Sequence, residues 1–156
     1  MNGRFASMPG HLLRRCQQIA VAIFLEECQR FALTPLQFAV LDSLMQSGEQ
    51  DQVTLGGAVA LDRSSTSLVI AKLEKLGLLH RRPSTSDKRA RKVQISAAGA
   101  ELLNQVLPMV ESAQQRILAP LNPPESKQLL ALLEKLAEGN NALSRAPERI
   151  KTIPAK

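Results

Sequence analysis

No tryptophan and no tyrosine occur in this 156-residue chain, and phenylalanine appears only four times. A reader of single strands that stacks bases on exposed rings needs more aromatic surface than that, and so does an RRM-type RNA module. Cysteine and histidine are each present twice. Cys16 and Cys28 fall in one expected helix, separated by about 18 Å of rise, so they cannot pair with each other within a chain. Neither belongs to a CxxC or Cys/His cluster, which argues against zinc. They suit small helix positions, with a redox-sensing thiol as the other use. There is no Ser/His/Asp set, paired-acid phrase, phosphate loop or metal cluster, so neither an enzyme nor a cofactor is expected. No apolar run approaches the ~20 residues of a membrane span, and no apolar signal core follows Arg4, so a cytoplasmic protein with no membrane partner is expected.

What the chain does have is helix-forming composition and a concentrated charge. The apolar fraction is 44%, and alanine and leucine dominate, which favours helices. The formal net charge is +6. Between Leu61 and Ile95 there are nine basic residues against three acidic ones, an excess equal to the net charge of the whole chain. A basic patch on an otherwise balanced protein is the footprint of a polyanion-binding face, although a run of charge can also be a solvated surface.

The patterning assigns elements along the chain. Leu12, Leu13, Cys16, Ile19, Ala20, Ile23 and Phe24 repeat at helical spacing after Pro9, through about Gln29. Thr34-Pro35 reads as a cap with proline at N1, opening a second helix that ends near Gly48. Gln46 to Gln52 reads as a polar loop. Thr54 is the expected cap of a short third helix, made unusual by Gly56-Gly57. Asp62-Arg63 is the expected turn, and Ser64 or Ser65 the cap of a fourth helix with Val69, Leu73 and Leu76 as its buried stripe. Gly77 reads as its left-handed stop. Two short strands follow, Leu78 to Arg82 and Arg91 to Ile95, joined by a basic loop. Ser96 caps a long helix that Pro108 should kink, and Asn122-Pro123-Pro124-Glu125 starts a last one, with Leu129, Leu132, Leu133 and Leu136 in a stripe.

Helix, tight turn, Ser/Thr-opened helix and basic hairpin, in that order, spell a winged helix-turn-helix. The expected fold is mainly α with a small β-hairpin wing. Residues 34–95 form the winged helix-turn-helix DNA-binding domain, 9–30 and 96–141 form a helical dimerisation region, and 1–8 and 142–156 are disordered tails. The first and last two helices carry more apolar surface than a small winged domain can cover, so a homodimer on a pseudo-palindromic operator is expected, with packing of these helices within one chain as the alternative.

The wording of residues 53–99 resembles the MarR family of bacterial transcription regulators. LDRSSTSLVIAKLEKLGLLHRR, at 61–82, is similar to that family's recognition helix and first wing strand. SDKRARKVQIS, at 86–96, is similar to its wing, and Ser96 to Gly99 to its T-x-x-G helix start. Thr34-Pro35-Leu36-Gln37-Phe38 matches its second helix. Ser84 stands where the wing often carries an acid, and Leu68 where the recognition helix often carries arginine. GHLLRR followed by Gln17-Gln18 resembles the branch that controls breakdown of aromatic acids, nicotinate-type acids included.

The fourth helix is expected to enter the major groove of double-stranded DNA by its N-terminal half. Ser64, Ser65, Thr66 and Ser67 are its short donors, with the first two also able to cap, and Lys72 reaches the backbone. Arg89 is the expected minor-groove finger, with Lys88 and Arg91 on flanking phosphates, or with Arg91 bracing the wing through Asp87. The resemblance implies a small aromatic acid effector bound between the winged domain and the dimer helices. His11, Arg14, Arg15 and Gln18 share one helix face, arginine offers a fork for a carboxylate, and Phe31 and Phe38 can wall a ring. The bland alternative is a basic edge beside core phenylalanines. The expected function is therefore a repressor released from its operator by a small aromatic carboxylate. The alternatives are a thiol-switched regulator of the same fold using Cys16 or Cys28, and an architectural DNA protein.

Overall fold

The computed structural model describes residues 4–85 and 91–149. A short 3-10 turn, Arg4–Ser7, leads into α1, Pro9–Glu27. α2 is Pro35–Ser47, β1 Gln50–Asp51, α3 Gln52–Ala58 and α4 Arg63–Lys75. β2, Leu79–Pro83, and β3, Arg91–Ile95, precede α5, Ala97–Leu118, and α6, Pro123–Asn140. The fold is mainly helical with a three-stranded antiparallel sheet in the order β1-β3-β2, Arg81 lying opposite Val93 and Gln50 opposite Val93 on the other side.

The caps account for most boundaries. Thr34 and Gln37 form a reciprocal capping box at the start of α2, at 3.2 and 3.0 Å, and Asn122 with Glu125 does the same for α6. Two expected caps are displaced by aspartates. Asp51, not Thr54, caps α3: its carboxylate accepts from the Thr54 N–H at 2.8 Å and from the Thr54 hydroxyl at 2.6 Å. Asp62, not Ser64 or Ser65, caps α4, accepting from the Ser65 N–H at 2.8 Å. A carboxylate beats a hydroxyl there because it also meets the positive end of the helix dipole. With Asp62 as cap, the buried stripe of α4 is Thr66, Ile70 and Leu73, and Leu76 is exposed. β1 replaces part of the expected polar loop. Its Gln50 is buried, and its amide donates to the Ser43 carbonyl at 3.1 Å. The α3–α4 turn is held by Ala60 in the left-handed region, at φ 52°.

One core, built on Leu41, Leu44, Leu55, Ile70, Leu73, Leu79, Val93, Leu103 and Val106, joins the helix-turn-helix to α1 and α5. α6 contributes no buried residue, and α5 runs through Pro108 as a single helix. Beyond α6, the segment expected as a tail lies against α3 as far as Arg149, whose N–H donates to the Gly57 carbonyl at 2.8 Å.

Gly77, at φ 72°, closes α4 with the Leu78 N–H on the Leu73 carbonyl at 2.9 Å. The Ser96 hydroxyl then donates to the Gly77 carbonyl at 2.7 Å and accepts from the Gly99 N–H at 3.0 Å. A β-carbon on Gly99 would stand 2.0 Å from the Leu78 carbonyl oxygen, so only glycine lets α5 start this close to β2. Gly99→Ala should lower the unfolding free energy by about 3 kcal/mol, read as an earlier urea midpoint at unchanged slope; a wild-type midpoint would show that the junction yields freely.

Candidate DNA-binding interface

The outward face of α4 carries Ser64, Leu68, Ala71, Lys72 and Lys75, all exposed. Leu68 is 71% exposed, a large apolar side chain held out from a helix whose other large apolar residues turn inward. The N-terminal half of the helix separates the four expected donors. Ser64 is exposed and available. The backbone of Ser65 is taken up by the Asp62 cap. Thr66 does not belong to the surface: it is 1% exposed, and its hydroxyl donates to the Asp62 carbonyl at 2.8 Å. It sits over Gly56, where a β-carbon would come within 2.7 Å of its Oγ1, so Thr66 sets the spacing of α3 on α4. Ser67 is half-buried and accepts from the Gln52 amide at 2.5 Å, linking the same two helices while keeping one edge outward.

The basic residues are not equivalent. Arg81 forms a bidentate-like clamp on Glu74, from Nε at 2.8 Å and from Nη2, with its own N–H adding a third bond at 3.2 Å. The clamp fastens β2 to α4. Arg82 pairs with Glu49 at 2.6 Å. Among the described residues Arg63, Lys72, Lys75 and Arg91 make no ion pair. So two of the arginines counted in the basic segment are structural, and the free charge is drawn toward the two ends of α4 and the base of the wing. Arg91 is exposed at the start of β3, opposite Pro83. Lys88, Arg89 and the Asp87 brace lie outside the described residues. Ser84, at the position where the family's wing often carries an acid, is buried.

Arg63 and Gln52 were missed as interface candidates. Arg63 is the first residue of α4 and exposed, and became visible only once Asp62 was the cap.

The residues expected around an effector fall into two groups. Arg14 donates to the Gln18 amide oxygen at 2.9 Å and lies 3.4 Å from His11 Nδ1, and the Phe5 ring rests on His11 with centroids 4.5 Å apart. Arg15 is exposed beside them. Phe31 and Phe38 are half-buried at the other end of α1, where Phe38 meets Phe24 at 6.0 Å. His11 lies about 20 Å of helix rise from Phe24, and Gln18 about 9 Å, and no contact joins the polar cluster to Phe31 or Phe38 among the described residues. Cys16 is exposed and Cys28 buried. Burial, with the neighbouring Glu27 charge, pushes the Cys28 thiol up, which keeps it protonated and unreactive. Among the described residues no His/Cys/Asp/Glu group could hold a metal, and no helix is long and apolar enough to cross a membrane.

The acids that organise α4 carry a pH signature. The Ser65 N–H, and then Arg145, hold Asp62 below the usual carboxylate range, and the Arg81 hydrogen bond holds Glu74 there. A depressed folded-state value means stability that is complete above the unfolded carboxylate range, about pH 4, and lost as pH falls through the folded value. The melting temperature should therefore drop on acidification from neutral to about pH 3, and Asp62→Asn with Glu74→Gln should reduce that drop while costing stability at neutral pH. An equal drop in the double variant would remove these two acids from the acid transition.

The arrangement has counterparts of known kind. A family model described as MarR family matches residues 33–90. The transcriptional repressor NicR of Pseudomonas putida is 30% identical over 131 residues, covering 84% of this chain and 83% of NicR. Bordetella bronchiseptica BpsR, whose DNA binding is regulated by 6-hydroxynicotinic acid, superposes with a TM-score of 0.82 at 32% identity, over 88% of this chain and 98% of BpsR. The repressor CouR, bound to a 23-mer DNA duplex, gives 0.82 at 25% identity, over 88% and 97%. These relatives are regulators of transcription rather than enzymes, and the chain belongs to the MarR family.

Proposed function

We propose that the protein is a homodimeric repressor that reads a pseudo-palindromic operator and leaves it when a small aromatic carboxylate binds. The observation that carries the DNA-reading part is α4. Among the described residues its outward face has no ion pair and carries cations at both ends, on a head where Arg81 and Arg82 are locked to acids. Ser64, Ser67 and Arg63 serve the N-terminal half in the groove, Leu68 offers an apolar contact suited to a thymine methyl, and Lys72 and Arg91 meet phosphates on either side. Lys88 and Arg89, outside the described residues, keep the wing contacts that the sequence suggested for them.

Two features support the dimer. Leu130, Leu132 and Leu136 on α6 are about half exposed, as are Leu12, Leu13 and Ile19 on α1. Apolar stripes of that extent mark an interaction surface, so residues 9–30 and 96–141 are assigned to the two-fold contact, with 34–95 as the reading head. Light scattering at micromolar concentration should return twice the 17.0 kDa chain mass; a monomer that still binds a palindrome tightly would overturn the assignment.

The effector follows from the relatives and from the split site. BpsR responds to 6-hydroxynicotinic acid, and this chain carries a His11–Arg14–Gln18 cluster suited to a carboxylate. The cluster and the Phe31–Phe38 wall lie toward opposite ends of α1, and a ligand set between the helices of the proposed dimer could meet charge from one end and ring from the other. A ligand bridging dimer helices and reading heads can alter the spacing of the two α4 helices. A hundredfold loss of DNA affinity needs about 2.7 kcal/mol of such coupling. Calorimetry with 6-hydroxynicotinate should show binding weakened at least about tenfold, 1.4 kcal/mol, by Arg14→Ala or Arg15→Ala, with DNA affinity in the absence of ligand nearly unchanged. Wild-type ligand affinity in both variants would place the carboxylate elsewhere.

A further inference from the structure

The chain beyond α6 returns to the reading head and is held there by specific contacts. Asn141 fixes it through two bonds to the Glu148 backbone, at 2.9 and 2.8 Å. Arg149 donates its N–H to the Gly57 carbonyl at 2.8 Å, and its aliphatic stem fills the space a Gly57 side chain would take, with Cβ, Cδ and Cγ at 3.2 to 3.4 Å from a β-carbon placed there. Arg145 pairs at 2.8 Å with Asp62, the cap of α4, and is still 89% exposed. The Gly56-Gly57 pair thus has two uses: Gly56 admits Thr66, and Gly57 admits Arg149.

The returning segment completes a cleft of about 640 Å³ between the first turns of α3 and α4 and the base of the wing. Arg63, Arg91, Arg145 and Arg149 line it, together with Gln52 and Ser67. Its acids are Asp51 and Asp62, so four arginines and two aspartates line it, and both carboxylates are already bonded to the helix starts they cap. The surplus positive charge, beside the helix start that presents Ser64, fits an oligoanionic backbone.

Resting on the DNA-binding role above, we propose that this cleft is a phosphate dock for the DNA backbone and that Arg145 and Arg149, from the C-terminal segment, are part of the DNA interface alongside α4 and the wing. The recognition helix and wing read the duplex from above the cleft, and the two C-terminal arginines bond the strand that passes its outer edge. Because they meet phosphate and not bases, they raise affinity for every sequence about equally.

The test is a salt series of anisotropy titrations with the full-length protein on a duplex of random sequence about three helical turns long, where binding is almost wholly electrostatic. Arg145→Gln with Arg149→Gln should shallow the slope of log K against log salt by about 0.9 per phosphate contact removed, so by about 2 per protomer, with the melting temperature little changed. A chain ending at Leu143, which also loses Lys151 and Lys156, should shallow the slope at least as much. An unchanged slope with weaker binding and a lower melting temperature would mean that the segment only braces the Asp62 cap, and tighter binding in the shortened chain would mean that it blocks the groove. Either result overturns the proposal and leaves the DNA-binding role standing. A wild-type protein that binds no duplex at low salt would overturn that role, and this proposal with it.

Discussion

Where the first wing strand enters the sheet, the Leu78 carbonyl points at helix backbone that carries no β-carbon. Around that contact, the Ser96 hydroxyl bonds the Gly77 carbonyl on one side and the Gly99 N–H on the other, and the Ser96 N–H reaches the Leu78 carbonyl at 3.1 Å. Three elements therefore end or begin within one hydrogen-bonded knot: α4, β2 and α5. The orientation of α4 relative to α5 depends on this packing, since Gly77 at the end of one is bonded to Ser96 at the start of the other. A displacement of α5 is transmitted to α4 through carbonyls and a buried hydroxyl, which have few alternative partners.

The electrostatics of the head divide along the same line. Acids at Asp51 and Asp62 hold helix starts, and Glu74 and Glu49 hold the arginines of β2. The charges left over are the ones a polyanion can use. Exposed ion pairs of this type are individually weak, but here each joins two elements, so their role is registration of wing on helix more than gross stability.

Much of this was legible in the sequence because it is written in local chemistry. Thr34-Pro35 with Gln37, Asn122-Pro123 with Glu125, Gly77 as a left-handed stop, and Ser96 with Gly99 are all short-range signals, and each lies where it was expected. The displaced caps show the limit. Asp51 and Asp62 each stand within a few residues of a Ser or Thr with a comparable claim, and the competition is settled by which phase buries Leu55, Thr66 and Ile70 in the common core, a tertiary matter. β1 is two residues long and polar, and exists only because β3 offers it a ladder. Thr66 misled for a similar reason: a threonine on a predicted reading helix looks like a donor to DNA, but its methyl and hydroxyl fill the gap above Gly56. The two halves of the expected effector site were both on the page as residues, but that one sits on α1 and the other on the turn and helix after it is invisible to a list of side chains.

The leucines of α6 have a thermodynamic consequence of their own. A helix with no fully buried residue derives little tertiary support from its own chain, and an isolated helix of eighteen residues is only marginally stable in water. In the homodimer proposed above its support would come from the partner and so enter by mass action: at protomer concentrations well below the association constant's reciprocal, α6 would loosen. Melting temperature and protease sensitivity near residue 140 would then vary with protein concentration, and the abundance of the protein would become one of the variables that set its structure.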